Sequence, residues 1–364
     1  VSSPRKNKFA LIAHPPELAL YRKYIRFLKP EKSFRDELIL KLFEWTPSYT
    51  VRRWKNFTLD GGRFADGVMI MVPFLPEMRD IKLARVVEKI EQALRIARDE
   101  GCTVAALGAF TSIVLQGREE EIGEKYGIRL TSGNTFTAAL IVRSIEELAR
   151  RFNRPLENET LALVGASGDI GTGCLVYFGS RVKKLVLTAR GLTRLEQVLA
   201  SRKKAVPCEV EVTSDNRRAI EKARFCVFAT SSYGRLFHVN DFEPGSVVCD
   251  ASAPLNVAFD PRPRRDVFLY HGGVAALPRA LSPGFDIGVA SSRMMYGCMM
   301  EGVLHAFAPD LPRSWGRGNI TRAAIERYLG LLDDGPGVSP GYSVGGHRYT
   351  RRELERYSRC FSAL

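Results

Sequence analysis

No stretch of the sequence approaches the ~18 consecutive apolar residues that mark a membrane-spanning helix. The basic opening residues lead into an apolar run, 9–13, that is too short for the core of a secretory signal. A chain of this kind is expected in the cytoplasm, without a transmembrane segment. Paired cysteines are also missing. The seven cysteines, Cys102, Cys174, Cys208, Cys226, Cys249, Cys298 and Cys360, are odd in number, scattered and never spaced C-x-x-C. That pattern argues against a disulfide framework and against a zinc site, so no metal is expected. There is no Ser/Gly/Pro low-complexity tract and no repeat at a solenoid period. The basic residues come without a recognised nucleic-acid-binding motif, so no nucleic acid is expected as a partner.

What is present is length for two or three domains, 364 residues, and an excess of positive charge, +14. Basic residues are densest at Arg52-Arg53, Arg150-Arg151, 262–265 and Arg351-Arg352. Plain solubility accounts for such a balance as readily as binding does. Among binding readings an acidic protein partner ranks first, and peripheral contact with an anionic membrane stays open.

Apolar runs predict strands at 9–13, 68–72 and 103–107, and helical spacing predicts helices over 81–98 and 135–152. From residue 160 the pattern alternates: strands at 161–164, 184–187, 208–212, 225–229, 246–249 and 267–270, with an apolar helix following Gly171 to about 179 and helices at 193–200 and 216–223. Such alternation predicts a parallel doubly wound sheet. From about residue 289 onward the chain reads as mostly helical. The fold expected is α/β: an N-terminal α/β substrate domain over 1–155, a doubly wound Rossmann domain over 156–290 and a helical C-terminal region over 291–364.

The first Rossmann strand runs into Gly165-Ala-Ser-Gly168-Asp-Ile-Gly171, which opens a helix. In this context the glycines have separate reasons. Gly165 permits the tight turn, Gly168 leaves room for a pyrophosphate and Gly171 lets helix and strand approach. Ser167 and the amides of Gly168, Asp169 and Ile170 are placed to face the phosphates from a helix N-terminus. The second strand ends in Thr188-Ala-Arg190, with no acidic residue to bind the adenosine ribose. Arg190 can pair with a 2′-phosphate and Thr188 can hydrogen-bond it, so the cofactor expected is NADPH. Thr230, Ser231 and Ser232, after the fourth strand, and Gly272-Gly273, after the last, are candidates for the nicotinamide end; a polar turn and a loop are the plain alternatives.

The cysteines point toward chemistry only weakly. Cys208, Cys226 and Cys249 fall in expected strands and Cys174 on an apolar helix, where cysteine serves as a small core residue. Cys102 follows a helix stop and Cys360 lies near the end of the sequence. Cys298 sits early in an expected helix beside Gly297. Arg293 and the helix N-terminus could raise its thiolate fraction there, although periodicity alone makes it a core residue.

Taken together, several stretches resemble the long-chain acyl-[acyl-carrier-protein] reductases, best known from cyanobacteria. They are Phe9-Ala-Leu-Ile-Ala-His14, Phe74-Leu-Pro-Glu-Met78, Ala106-Leu-Gly-Ala-Phe-Thr-Ser-Ile113, Thr131-Ser-Gly-Asn-Thr-Phe-Thr137, the glycine loop, Leu187-Thr-Ala-Arg190, Gly272-Gly273, Cys298-Met-Met-Glu301 and Trp315-Gly-Arg317. The resemblance implies an aldehyde-forming reductase in which Cys298 attacks an acyl thioester and NADPH reduces the acyl-enzyme. It also implies acyl carrier protein or acyl-coenzyme A as donor, and an aldehyde-consuming enzyme as a further partner. Thr111, Ser112, Asn134 and Thr135 are candidate donors to the developing oxyanion, and Asn134 or Thr135 is an alternative cap for the long helix. Glu301, one turn beyond Cys298, is placed to orient or deprotonate the thiol, or to serve as an ordinary surface or ion-pair residue. The chain departs from the family at Phe136, where a histidine is expected, at His271, where an asparagine is expected, and beyond residue 330, where no counterpart is recognised. The other readings are an NADP-dependent dehydrogenase of saccharopine or shikimate type without covalent catalysis, and a non-catalytic NADPH-binding or carrier-docking protein.

Overall fold

The structure, a computed structural model, describes residues 7–15, 18, 22, 35–75, 78, 81–108, 110–232, 234–260, 264–315, 320–335 and 337–363. The basic opening at 1–6, Pro76, Glu77, Ala109, Arg262, Gly316 and Arg317 lie outside the described residues. The chain divides into two compact units. One comprises 1–133, 277–319 and 335–338, the other 134–276, 320–334 and 339–364. The first break therefore falls before the long helix rather than at residue 155, and 291–364 is shared between the units instead of forming one C-terminal region. The helix itself supplies the reason. It buries Ala138, Ile141, Val142, Ile145 and Leu148, and a side-chain carbon at Gly173, on the glycine-loop helix, would lie only 3.1 Å from Ala138.

The first unit is built on a mixed five-stranded sheet of β1 (Lys8–Ala13), β2 (Tyr49–Phe57), β3 (Ala65–Met71), β4 (Val104–Leu107) and β5 (Arg129–Thr131), in the order β2-β3-β1-β4-β5. All pairs are parallel except β2 with β3. Helices α1 (Asp36–Trp45), α2 (Leu83–Asp99), α3 (Phe110–Val114) and α4 (Glu119–Tyr126) accompany it. Val86, Ile90, Ala93, Leu94 and Ala97 of α2 close over Ala10, Ile12, Val68, Ile70, Ala105 and Leu107 on one face of the sheet. The alternate residue Ala106 faces the other way, as strand periodicity requires. There it meets the helix Gly297–Phe307, where a side-chain carbon at Gly302 would come within 2.6 Å of Ala106. Glycine at 302 thus sets how closely the Cys298 helix lies on the sheet. Lys89 is fully buried, and its ammonium donates to the Phe43 carbonyl at 2.6 Å near the end of α1. Desolvation lowers its pKa to about 8.

The second unit carries six parallel strands: β6 (Thr160–Val164), β7 (Lys184–Thr188), β8 (Glu209–Thr213), β9 (Phe225–Phe228), β10 (Ser246–Asp250) and β11 (Val267–His271). Their order, β11-β10-β9-β6-β7-β8, is the doubly wound Rossmann order, reversing direction between β6 and β9. Helices α5 (Asn134–Arg151), α6 (Asp169–Phe178), α7 (Leu192–Arg202) and α8 (Asn216–Glu221) flank it. Cys208 is half-buried just before β8 rather than inside a strand. Phe136, the departure from the family pattern, is a core residue with its ring 5.3 Å from that of Tyr328.

The region after residue 289 is less helical than expected. A strand, Met294–Tyr296, precedes the Cys298 helix, and the two-residue strands Ser339–Pro340, Ser343–Val344 and His347–Arg348 separate the helices Arg322–Asp334 and Arg351–Ser362. Gly335, Gly337, Pro340 and Gly341 break the helical pattern there. The tail has a packing role. Phe361 stacks near Phe152 with centroids 4.4 Å apart, Tyr357 meets Phe268 at 4.9 Å, and the Tyr349 hydroxyl donates to the Leu269 carbonyl at 2.9 Å. Among the described residues no helix is long and apolar enough to cross a membrane.

Candidate active site

Cys298 is the second residue of a helix that is otherwise buried almost throughout, and it is itself half-buried. The other cysteines are poorer nucleophiles by position. Burial pushes the thiols of Cys102, Cys226 and Cys249 up to about 12 and raises those of Cys174 and Cys208. Cys360 lies half-buried in the last turn of its helix, far along the chain from the other expected site residues. Cys298 instead sits in the first turn of its helix.

Three contacts fix the backbone around Cys298. Gly133 has φ +69°, and a side-chain carbon there would lie 2.1 Å from the Cys298 carbonyl oxygen and 2.2 Å from its Cα. The turn Thr131-Ser-Gly133 therefore rests directly on the cysteine backbone. At Gly108 such a carbon would lie 2.1 Å from Met299 Cε, so Gly108 also abuts this helix. Glu301 then ties the elements together. Its fully buried carboxylate accepts from the Thr131 hydroxyl, from Ser314 N–H at 2.8 Å and from Ser314 Oγ at 2.8 Å. The Thr131 hydroxyl oxygen accepts from Gly133 N–H at 3.1 Å. Glu301 is thus no surface residue; its oxygens hold the Gly133 turn against the cysteine helix.

The expected oxyanion donors occupy different settings. Thr111 is fully buried and its hydroxyl donates to the Gly108 carbonyl at 2.7 Å, which tightens its own turn. Ser112 is half-buried on α3. Asn134 and Thr135 form the first turn of α5 rather than its cap, Asn134 half-buried and Thr135 buried, and they follow Gly133 directly in the chain. His14, which the sequence offered only inside a longer stretch, shapes the same region. Its buried ring pairs Nδ1 with the Pro15 carbonyl at 2.6 Å and accepts Phe110 N–H on Nε2 at 3.1 Å. Both bonds require the neutral Nδ1–H tautomer, and burial lowers the pKa to about 4.

In the second unit the glycine loop has the form of a dinucleotide cradle. Gly165 has φ +90°, and a side-chain carbon there would strike the Ala229 carbonyl oxygen at 2.5 Å. At Gly171 it would strike the Gly165 carbonyl oxygen at 2.2 Å, whereas at Gly168 the nearest atom is 3.4 Å away. Gly168 therefore has room beside it, at the position where the sequence pattern expects a pyrophosphate. Gly168 caps α6, and the first helical bond runs from Thr172 N–H to Gly168 at 2.7 Å, so the amides of Asp169, Ile170 and Gly171 form the anion-facing first turn. Ser167 is half-buried beside them.

Arg190 is exposed just past β7, within the segment expected to meet a 2′-phosphate. Thr188 is buried and its hydroxyl donates to Asn216 Oδ1 at 2.6 Å. Thr230 is half-buried, with its hydroxyl donated to Asn256 Oδ1, and Ser231 is exposed. Gly272 and Gly273 are buried, and packing accounts for both: side-chain carbons there would strike Cys249 Sγ at 2.3 Å and Thr137 Cγ2 at 2.7 Å. Asp250 and Asn256, buried at the same end of the sheet, had no sequence signal because a lone Asp or Asn near a strand end reads as turn chemistry.

A long-chain acyl-[acyl-carrier-protein] reductase of Synechococcus elongatus is 30% identical over 285 residues, which cover 73% of this chain and 80% of that protein. The chain belongs to the long-chain acyl-[acyl-carrier-protein] reductase family. The family's relative is not alone: the aminotransferase PigE of a Serratia species is 27% identical over 316 residues, covering 82% of this chain. The chain spans only 36% of that longer protein. No family model matches. Among solved structures, L-tryptophan dehydrogenase from Nostoc punctiforme covers 98% of this chain and 88% of its own at 9% identity, with a TM-score of 0.36. The nucleotide-binding domain of glutamyl-tRNA reductase from Thermoplasma volcanium covers 36% of this chain and 83% of its own at 18% identity, with a TM-score of 0.27. Neither structural likeness bears on function.

Proposed function

We propose that this protein reduces a fatty acyl thioester, carried by acyl carrier protein or coenzyme A, to the fatty aldehyde through an acyl intermediate on Cys298. The observation that carries this reading is the setting of Cys298: a half-buried thiol at the start of a helix, its backbone pressed by Gly133 and secured through Glu301. Membership of the reductase family supports it, and so does the glycine loop, whose residues fit a dinucleotide phosphate.

In the first half-reaction the Cys298 thiolate attacks the thioester carbon, and the carrier leaves as its thiol. Donors facing the carbonyl oxygen stabilise the tetrahedral species; Ser112, Asn134 and Thr135 remain the candidates, the Thr111 hydroxyl being spent on the Gly108 carbonyl. NADPH, when bound, supplies the hydride that reduces the acyl group. Collapse of the resulting hemithioacetal returns the Cys298 thiolate and releases the aldehyde. Cysteine suits both ends of this sequence because it is a soft nucleophile and a good leaving group. The cofactor is held by the Gly165–Gly171 loop, with Arg190 selecting the 2′-phosphate. The net charge of +14 favours an acidic carrier as donor. An aldehyde-consuming enzyme or a peripheral membrane contact would receive a poorly soluble product.

Incubation with an acyl thioester but no NADPH, followed by intact-mass measurement, tests the reading. A thiol-labile acyl adduct is expected. A dehydrogenase without covalent catalysis, or a non-catalytic cofactor-binding protein, would remain at the unmodified mass.

A further inference from the structure

Two strands of the Rossmann sheet, β9 and β10, end side by side and lead into loop segments that include 229–232, 234–236 and 251–256. A pair of buried side chains knits these loops together. Asp250, the last residue of β10, is 2% exposed. Its Oδ1 accepts Ser252 N–H at 3.1 Å, and its Oδ2 accepts Asn256 N–H at 2.7 Å and Val257 N–H at 2.8 Å. Asn256 is fully buried. Its amide donates to the carbonyls of Ser232 and Gly234, both at 3.1 Å, and its Oδ1 accepts the Thr230 hydroxyl. The Thr230 oxygen in turn accepts Ser232 N–H at 3.1 Å, and Ser252 Oγ accepts Thr230 N–H at 3.3 Å.

Burying a carboxylate is costly, and here desolvation raises the Asp250 pKa to about 6 in spite of three backbone donors. An apolar pair would fill the space without that cost but would not specify the backbone. The loops also lie beside the cofactor cradle. A side-chain carbon at Gly165 would meet the Ala229 carbonyl oxygen at 2.5 Å and Thr230 Cγ2 at 2.9 Å. The glycine loop and the 230 loop are therefore in contact at the carboxyl ends of the strands, next to the point where strand order reverses. Ligands of such sheets bind there.

We propose that Asp250 and Asn256 are positioning residues for the nicotinamide half of the cofactor, fixing the 230–232 and 252–256 backbone that receives it. The proposal rests on the NADPH reading given above. A ligand whose phosphates sit at Gly168 and whose adenosine extends toward Arg190 has its other half directed to these loops. The two side chains hydrogen-bond to loop backbone and to the Thr230 hydroxyl, so their effect is on shape and is confined to that half.

The test compares NADPH with adenosine 2′,5′-bisphosphate, which carries the adenosine and 2′-phosphate but no nicotinamide. Dissociation constants for both are measured on the whole protein and on Asp250→Asn, Asn256→Leu and Thr230→Val. Asp250→Asn places an amide where backbone N–H groups need an acceptor. Thr230→Val removes one hydroxyl at constant shape and is the mild variant if the other two fold poorly, as judged by their melting temperatures. The expected result is a loss of NADPH affinity of tenfold or more in the two stronger variants and severalfold in Thr230→Val, with adenosine 2′,5′-bisphosphate affinity within twofold of wild type. Equal losses for both ligands would show a general fold role and overturn the proposal, as would unchanged NADPH affinity. Wild-type protein that binds neither ligand would overturn the cofactor reading itself, an outcome distinct from either.

Discussion

Replacing Gly133 with alanine probes the contact that holds the proposed nucleophile. The added carbon would lie 2.1 Å from the Cys298 carbonyl oxygen and 2.2 Å from its Cα. Both are backbone atoms, so no side chain can rotate away. To reach ordinary van der Waals contact the cysteine backbone must retreat by roughly 1 Å, against a helix fixed by Glu301 and packed on Ala106; a misplacement of roughly that size at a reacting group can lower a rate by about a hundredfold. The residue also has φ +69°, where a Cβ adds roughly 1–2 kcal/mol of backbone strain. Gly117→Ala separates the two effects, because Gly117 has φ +90° and nothing within 4 Å of its missing side chain. Gly117→Ala should cost roughly 1–2 kcal/mol in denaturant unfolding and leave the rate of Cys298 acylation unchanged. Gly133→Ala should lower that rate by about a hundredfold and leave NADPH affinity, a property of the other unit, intact. Acylation at the wild-type rate in Gly133→Ala would refute the claim that this contact positions the thiol.

Glu301→Gln keeps one carbonyl oxygen for Thr131 Oγ1 and Ser314 N–H but turns an amide donor toward Ser314 Oγ, so a loss of about 1–3 kcal/mol is expected in denaturant unfolding; an unchanged midpoint would remove Glu301 from its structural role. Arg190→Ala should weaken NADPH binding about ten- to hundredfold with little change for NADH, and equal losses for both cofactors would reject its assignment to the 2′-phosphate. Buried His14 and His305 both have their pKa lowered to about 4 from an ordinary value near 6.5, chiefly by desolvation. The unfolded chain therefore takes up protons first, and stability that is complete above pH 6.5 should fall as the pH drops toward 4, by up to about 3 kcal/mol for each group. Unfolding midpoints measured across that range should show the decline, and His14→Gln, which can keep an acceptor for Phe110 N–H, should reduce it.

Much of the architecture was legible because its signals are local. The apolar strands at 9–13 and 161–164 and the glycine loop carry their own period and spacing, and each forms near its expected place. The strand β2 was not legible, because it is an edge strand whose exposed Arg52, Arg53 and Lys55 break the apolar pattern. The helix α1 follows Arg35, which makes no side-chain cap, so no start signal marks it. The unit boundary was misplaced at 155 because a long amphipathic helix reads the same whichever partner covers its apolar face. At the site, sequence and family resemblance singled out Cys298 and Glu301 but could not tell that the carboxylate is buried and spent on Thr131 and Ser314. That arrangement depends on residues 131, 301 and 314 meeting in space. Asp250 and Asn256 escaped for the same reason.

The central claim is that Cys298 carries the acyl group. The most direct measurement is peptide mass mapping of protein incubated with an acyl thioester in the absence of NADPH. A single acyl adduct on Cys298 is expected, with its discharge on addition of NADPH, appearance of the aldehyde, and loss of both in Cys298→Ser. An adduct on a different cysteine, or full aldehyde production by Cys298→Ser, would contradict it.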